Sequence, residues 1–127
     1  MATAARTPAQ LFALVFGVVY VLVGLLGFIP ALAPGDNLLG IFGVNAVHNI
    51  VHVLVGALFV VGSTSAANAK MINLIIGVVY LLLAVVGLTA LLGFVNNNGA
   101  DVVLHLATGL LAVYFGTAGA GQPVTAR

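Results

Sequence analysis

Five charges punctuate this chain, and their spacing decides most of what it can fold into. Arg6, Asp36, Lys70, Asp101 and Arg127 are the only Lys, Arg, Asp or Glu side chains among 127 residues. Four long uncharged stretches run between them, and each holds about the 20 mainly apolar residues that a membrane-spanning helix needs. Charged residues make up 4% of the chain and hydrophobic ones 63%, where a soluble domain carries about 25% charged. Five charges cannot clothe a soluble surface. A net charge of +1 provides no footprint for a nucleic-acid partner. The absence of cysteine excludes disulfides, thiol catalysis and iron–sulfur ligation. The expected fold class is all-α membrane, one four-transmembrane-helix bundle over residues 1–127, with the lipid bilayer as its first partner. The spans are expected at about 9–30, 44–63, 71–93 and 99–118.

The signs of the charges orient the spans. With four crossings, Arg6, Lys70 and Arg127 all fall on one side, and Asp36 and Asp101 on the other or just inside it. Lys and Arg favour the cytoplasmic side, so both termini are expected to be cytoplasmic. Arg6, the apolar run and Ala31-Leu32-Ala33 also resemble a secretory signal with its cleavage site. The run from Leu11 to Ile29 is longer than a signal core, and an internal repeat makes it part of the fold.

That repeat is legible in two phrases. Gly17-Val18-Val19-Tyr20 recurs as Gly77-Val78-Val79-Tyr80. Asn45-x-x-His48-x-x-x-His52-x-x-x-Gly56 recurs as Asn98-x-x-Asp101-x-x-x-His105-x-x-x-Gly109. The repeat units are helical hairpins at about 8–63 and 70–118. Each contains an even number of spans, so the copies are parallel and related by an axis along the membrane normal. Local signals agree. Thr7-Pro8-Ala9-Gln10 reads as a capped helix start, and Pro30, Pro34 and Gly35 break the chain after the first helix. The apolar segment from Leu38 to Val44 either lies along the outer interface or extends the second helix. The chain from Gly119 onward is expected to fray. The glycines, spaced by three, four and seven, read as helix-packing positions; a phosphate loop would need a strand and a Lys or acid that are missing here.

The histidines carry the only candidate chemistry. His48 and His52 are four residues apart and share a helix face; Asp101 and His105 repeat the geometry. At about 1.5 Å per residue, His52 and His105 lie some 10–13 Å below the outer boundary. Ionisable groups at such depth face the bundle interior. Three imidazoles and a carboxylate suit zinc, copper or ferrous iron, so His48, His52, Asp101 and His105 form a candidate metal site, with Asn45, Asn98, Tyr20 and Tyr80 around it. A second reading makes His52 and His105 the axial ligands of a b-type haem, although no arginine stands ready for the propionates. A third is a structural or accessory subunit, docking on itself as a homo-oligomer or on a larger membrane complex. Asn45 and Asn98 also read as helix N-caps, and the imidazoles as interhelical hydrogen-bonding groups. An activated nucleophile or a recognisable acid–base pair is missing, so an enzyme is not expected.

The segments Val44–Gly56 and Asp101–Gly109 resemble an uncharacterised family of four-helix membrane proteins common in actinobacteria, a domain of unknown function, over roughly residues 8–118. The resemblance implies a multi-pass protein of the bacterial plasma membrane. It brings no activity to these residues.

Overall fold

A computed structural model describes residues 5–123; Arg127, one of the three orienting cations, lies outside the described residues. Four α-helices appear among them: α1 (Pro8–Leu26), α2 (Ala46–Gly62), α3 (Ala66–Val86) and α4 (Gly99–Gly116). Helices α1, α3 and α4 are long and apolar enough to cross a membrane, and α2 is a shorter apolar helix.

Each helix starts where the sequence supplies a cap. Thr7 Oγ1 accepts the Gln10 N–H at 3.3 Å, and Gln10 Oε1 accepts the Thr7 N–H at 3.0 Å, closing a capping box before Pro8. Helix α3 begins earlier than the expected span of 71–93. The Ser65 side chain accepts the Asn68 N–H at 3.1 Å, which sets the start at Ala66 and brings exposed Lys70 inside the helix. Its long aliphatic stem lets the ammonium reach the helix end. The same helix stops at Val86, and residues Ala90–Val95 form a separate 3-10 turn. Helix α1 also ends sooner than position 30, at Leu26.

The segment from Leu38 to Val44 does not extend α2. Strands β1 (Asn37–Leu38) and β2 (Phe42–Gly43) pair antiparallel in a small hairpin. The positive φ values of Leu39 (54°) and Gly40 (72°) turn it. Leu38 and Val44 are buried, while Leu39 and Ile41 stand exposed at the tip. Asparagines lace this hairpin to the α3–α4 connection. Asn96 Nδ2 donates to the carbonyls of Asp36 and Val44 at 2.9 and 3.0 Å, and Asn98 Nδ2 to that of Ile41 at 2.9 Å. At the opposite end Ala120 is held in place where fraying is expected from Gly119 onward; residues 124–127 lie outside the described residues. The Ala9 N–H donates to the Ala120 carbonyl at 3.0 Å, and Ala120 is buried.

The closest packing is within two helical hairpins, α1 on α2 and α3 on α4. Small residues permit it. A Cβ on Gly17 would lie 2.8 Å from the Gly56 carbonyl oxygen and 2.9 Å from the Val60 nitrogen, and one on Gly56 would lie 2.6 Å from the Gly17 oxygen. The two backbones therefore touch, the contact that small residues allow between helices in lipid. Burial is inverted relative to a soluble bundle. The inner face of α1 presents Ala9, Phe12, Ala13, Gly17, Tyr20 and Gly24, and its exposed face Leu11, Val15, Val18, Leu22 and Leu25. Large aliphatic side chains thus form the outer sheath, as contact with lipid requires. Toward the termini the core is aromatic, with Phe12 stacked on Phe16 and Phe115 at 4.2 and 5.0 Å between ring centroids. Toward the hairpin end it becomes polar, and the histidines lie there.

Candidate metal centre

Two N-caps set the register of the site. Asn45 Oδ1 accepts the His48 N–H at 2.9 Å, which makes Ala46 the first residue of α2 and His48 the third. His52 follows one turn later on the same buried face. In α4, Asn98 Oδ1 accepts the Asp101 N–H at 3.0 Å, and Asp101 Oδ2 accepts the Asn98 N–H at 2.8 Å. That reciprocal cap makes Asp101 the third residue, with His105 one turn on.

These registers converge the imidazoles from two helices. One ring nitrogen from each of His48, His52 and His105 falls within 4.8 Å of the others. Ring centroids are 4.4 Å apart for His48–His52, 6.0 Å for His48–His105 and 6.2 Å for His52–His105. All three residues are at most 4% exposed. His48 Nδ1 and both ring nitrogens of His52 and of His105 are buried without a hydrogen-bonding partner in the protein. Five orphaned nitrogens in one place are unusual, since leaving a buried polar group unmatched costs about 1–3 kcal/mol. Among the described residues, His52 and His105 form no interhelical hydrogen bond of the kind that would make them packing residues. A macrocycle between His52 and His105 would share its space with the His48 ring.

Asp101 stands apart from this group. Its side chain is 1% exposed; Oδ2 belongs to the helix cap, Oδ1 is buried and unpartnered, and the carboxylate interacts with His48 only through space. Asn45 and Asn98 do not face the imidazoles. Each uses its oxygen as a cap and its amide nitrogen on the connection beside it, Asn45 toward the Phe94 carbonyl at 2.8 Å and Asn98 toward that of Ile41.

The tyrosines flank the cluster in matched positions. Tyr20 meets His52 edge-on at 5.2 Å, Tyr80 stacks on His105 at 5.0 Å, and the two tyrosine rings are 5.5 Å apart. Their hydroxyls differ. Tyr20 Oη and Thr108 Oγ1 share a buried hydrogen bond of 2.9 Å, whereas the buried Tyr80 hydroxyl, beside that of Tyr20, has no partner at hydrogen-bonding distance. Thr108 is not among the residues that recur between the repeated phrases. Its signal is the position just before Gly109, where the first phrase has Val55 before Gly56. The cluster and Tyr80 also lie at the inner end of an apolar cleft between α2 and α3, which hydropathy alone does not reveal.

The profile of a family described as a domain of unknown function (DUF4383) matches residues 10–118. Comparison with curated proteins and with solved structures returns no match.

Proposed function

This chain belongs to the DUF4383 family, and from that premise we propose that it is a four-span membrane protein that binds a transition-metal ion through His48, His52 and His105. The observation that carries the proposal is the set of buried, unpartnered imidazole nitrogens within 4.8 Å of one another. Zinc–imidazole bonds of about 2.0–2.1 Å in a tetrahedral site place the nitrogens about 3.3 Å apart. Side-chain rotations that draw the three rings inward supply that contraction. The ion satisfies one nitrogen of each ring at once. Imidazole ligands suit zinc, copper and ferrous iron, and three of them leave a coordination position open. Asp101 serves here as a countercharge and not as a ligand, because three neutral imidazoles bring no negative charge to a cation held in a low-dielectric interior.

The architecture is read the same way. All four helices span, with α2 as the short member; its 17 residues rise about 25 Å against a hydrocarbon core of about 30 Å, a mismatch that local thinning accommodates. The hairpins at about 8–63 and 70–118 are parallel copies. The paired Tyr20–His52 and Tyr80–His105 contacts, 5.2 and 5.0 Å, support that duplication. Arg6 and Lys70 sit toward one end of the bundle and Asp36 toward the other, which favours cytoplasmic termini in a bacterial plasma membrane.

The test is the metal content of protein purified in mild detergent, without chelator or affinity-tag histidines, together with its absorption spectrum. One zinc, copper or iron per chain, lost in His52→Ala and His105→Ala but kept in Asn45→Ala, is the expected result. A folded protein that takes up no ion from buffered zinc, copper or iron solutions refutes the proposal. A Soret band that disappears in the same variants would replace it with the haem reading.

A further inference from the structure

The cleft between α2 and α3 is a built pocket whose open lining is almost wholly apolar, with polar groups buried just beneath its inner end. It encloses about 390 Å³, within the range of about 300–1,000 Å³ typical of small-molecule sites. Val51, Val55 and Leu58 of α2 face Ile75, Val79 and Leu83 of α3, and the Ala90–Val95 turn closes the hairpin end through Leu92, Phe94 and Val95. The rim residues Val51, Leu58, Ile75 and Val79 are 41–52% exposed, on the surface that lipid would touch. The mouth therefore opens sideways into the bilayer.

Beneath the inner end the groups are polar. Tyr80, His52 and His105 line it, each at most 4% exposed. The Tyr80 hydroxyl and the ring nitrogens of both histidines are buried there with no partner in the protein. A hydroxyl donates and accepts, and a neutral imidazole has one donor and one acceptor nitrogen. The cleft contains no Arg, Lys, Asp or Glu side chain. A phospholipid or fatty-acid head would thus bury its charge without a counter-ion, which is prohibitively costly. A pure hydrocarbon would leave the polar end unmatched. What satisfies both ends is a neutral lipid-soluble molecule with a flat ring bearing oxygen and an apolar tail. A rotation that turns the Tyr80 hydroxyl out toward the cleft lets the molecule's carbonyl accept from that hydroxyl, its ring lies against His105 and Tyr80, and its tail leaves along the valine-lined wall.

We propose that the α2–α3 cleft binds a lipid-soluble quinone, entered from the membrane, with the Tyr80 hydroxyl as the donor to a ring carbonyl. The proposal rests on the cleft and its unpartnered hydroxyl, so it stands or falls separately from the metal ion.

The experiment is a binding titration of detergent-purified protein with ubiquinone-1, once after chelator treatment and once after zinc loading. Saturable binding of one quinone per chain, beyond its partition into empty micelles, is expected. Tyr80→Phe should weaken it about tenfold, the effect of one buried hydrogen bond. Val55→Phe, which fills the cleft, should abolish it, and Leu22→Ala, on the exposed face of α1, should leave it unchanged. Binding equal to the micelle blank, equal affinity in Tyr80→Phe, or equal affinity for decane or decanoate would each overturn the proposal. Quinone binding in a protein that takes up no zinc would uphold it while refuting the ion site; zinc uptake without quinone binding would do the reverse.

Discussion

Removing the hydroxyl from Tyr20 and from Tyr80 should move stability in opposite directions. The two residues stand at equivalent places on α1 and α3, both are buried, and both flank an imidazole. Tyr20→Phe breaks the 2.9 Å bond to Thr108. Thr108 itself is 1% exposed, so its hydroxyl is left to find a carbonyl of its own helix. A net hydrogen bond contributes about 0.5–1.5 kcal/mol in water, and membrane double-mutant cycles average about 0.6; adding the imperfectly matched threonine gives a loss of about 1 kcal/mol. Tyr80→Phe removes a buried hydroxyl that has no partner. Only its contact with the Tyr20 hydroxyl is lost, and a desolvation cost of about 1–3 kcal/mol for an unmatched group is relieved, part of it offset by the contacts the oxygen makes. A gain of up to about 1 kcal/mol follows. The assay is reversible unfolding of ligand-free protein in mixed micelles, titrating denaturing detergent and reading helix content. The expected separation between the variants is about 1–2 kcal/mol, with wild type between them. If Tyr80→Phe destabilises as much as Tyr20→Phe, its hydroxyl is bonded in the folded protein and the reasoning about the cleft fails.

Two other outcomes follow from contacts already described. Gly17→Ala places its methyl against the Gly56 carbonyl and the Val60 nitrogen, backbone that cannot yield without parting α1 from α2. A loss of about 1–3 kcal/mol is expected in the same assay, and Gly93→Ala, where nothing lies within 4 Å of the added carbon, should change stability little. Because the chain has no cysteine, single reporters can test orientation. An impermeant maleimide should label Leu39→Cys at the exposed hairpin tip in intact cells, and Thr64→Cys between α2 and α3 only after permeabilisation; the reverse pattern would overturn the assignment of cytoplasmic termini.

The parts of the fold that were legible in the sequence are those set by local chemistry. Thr7, Asn45 and Asn98 cap helices within the residues that name them, and a capping bond needs nothing beyond three residues of chain. Charge spacing likewise located the four apolar segments, because any charge inside lipid is costly wherever it occurs. The helix ends were legible only where a cap advertised them. Ser65 starts α3 ahead of Lys70, and hydropathy, which lets one cation end a span, placed the start too late. The Leu38–Val44 hairpin was not legible either. Its seven residues are too few to show a period, and its turn depends on positive φ at Leu39, a residue type that rarely adopts it. Within the candidate site, the i, i+4 spacing announced that His48 and His52 share a face. That Asp101 would remain with its cap could not be read from a pattern, because it depends on whether the carboxylate meets the Asn98 N–H or an imidazole first.

The difference between Val55 and Thr108 has consequences that the other differences between the two repeated phrases do not. If the hairpins are copies, they create two equivalent positions beside a tyrosine, one where α4 meets α1 and one where α2 meets α3. Thr108 fills the first with a hydroxyl and joins it to Tyr20. Val55, of nearly the same shape but without the oxygen, leaves the second unfilled, and the Tyr80 hydroxyl is buried beneath the cleft without a partner at hydrogen-bonding distance. A valine-to-threonine change is close to isosteric and alters mainly polarity. One such substitution would give Tyr80 the partner that Tyr20 has and would relieve a buried orphan. The chain instead carries an unmatched donor beside four unmatched imidazole nitrogens on His52 and His105, at the inner end of an uncharged passage to lipid. Packing alone gives no reason to gather orphaned groups there. A ligand supplies one, because the cost of keeping a polar group unpaired in the empty protein is recovered when a carbonyl reaches it. On this argument Val55→Thr should stabilise the ligand-free protein and weaken quinone binding together. A variant that did only the first would mean that the cleft is a packing defect, and one that did neither would mean that Tyr80 does not turn toward position 55 at all.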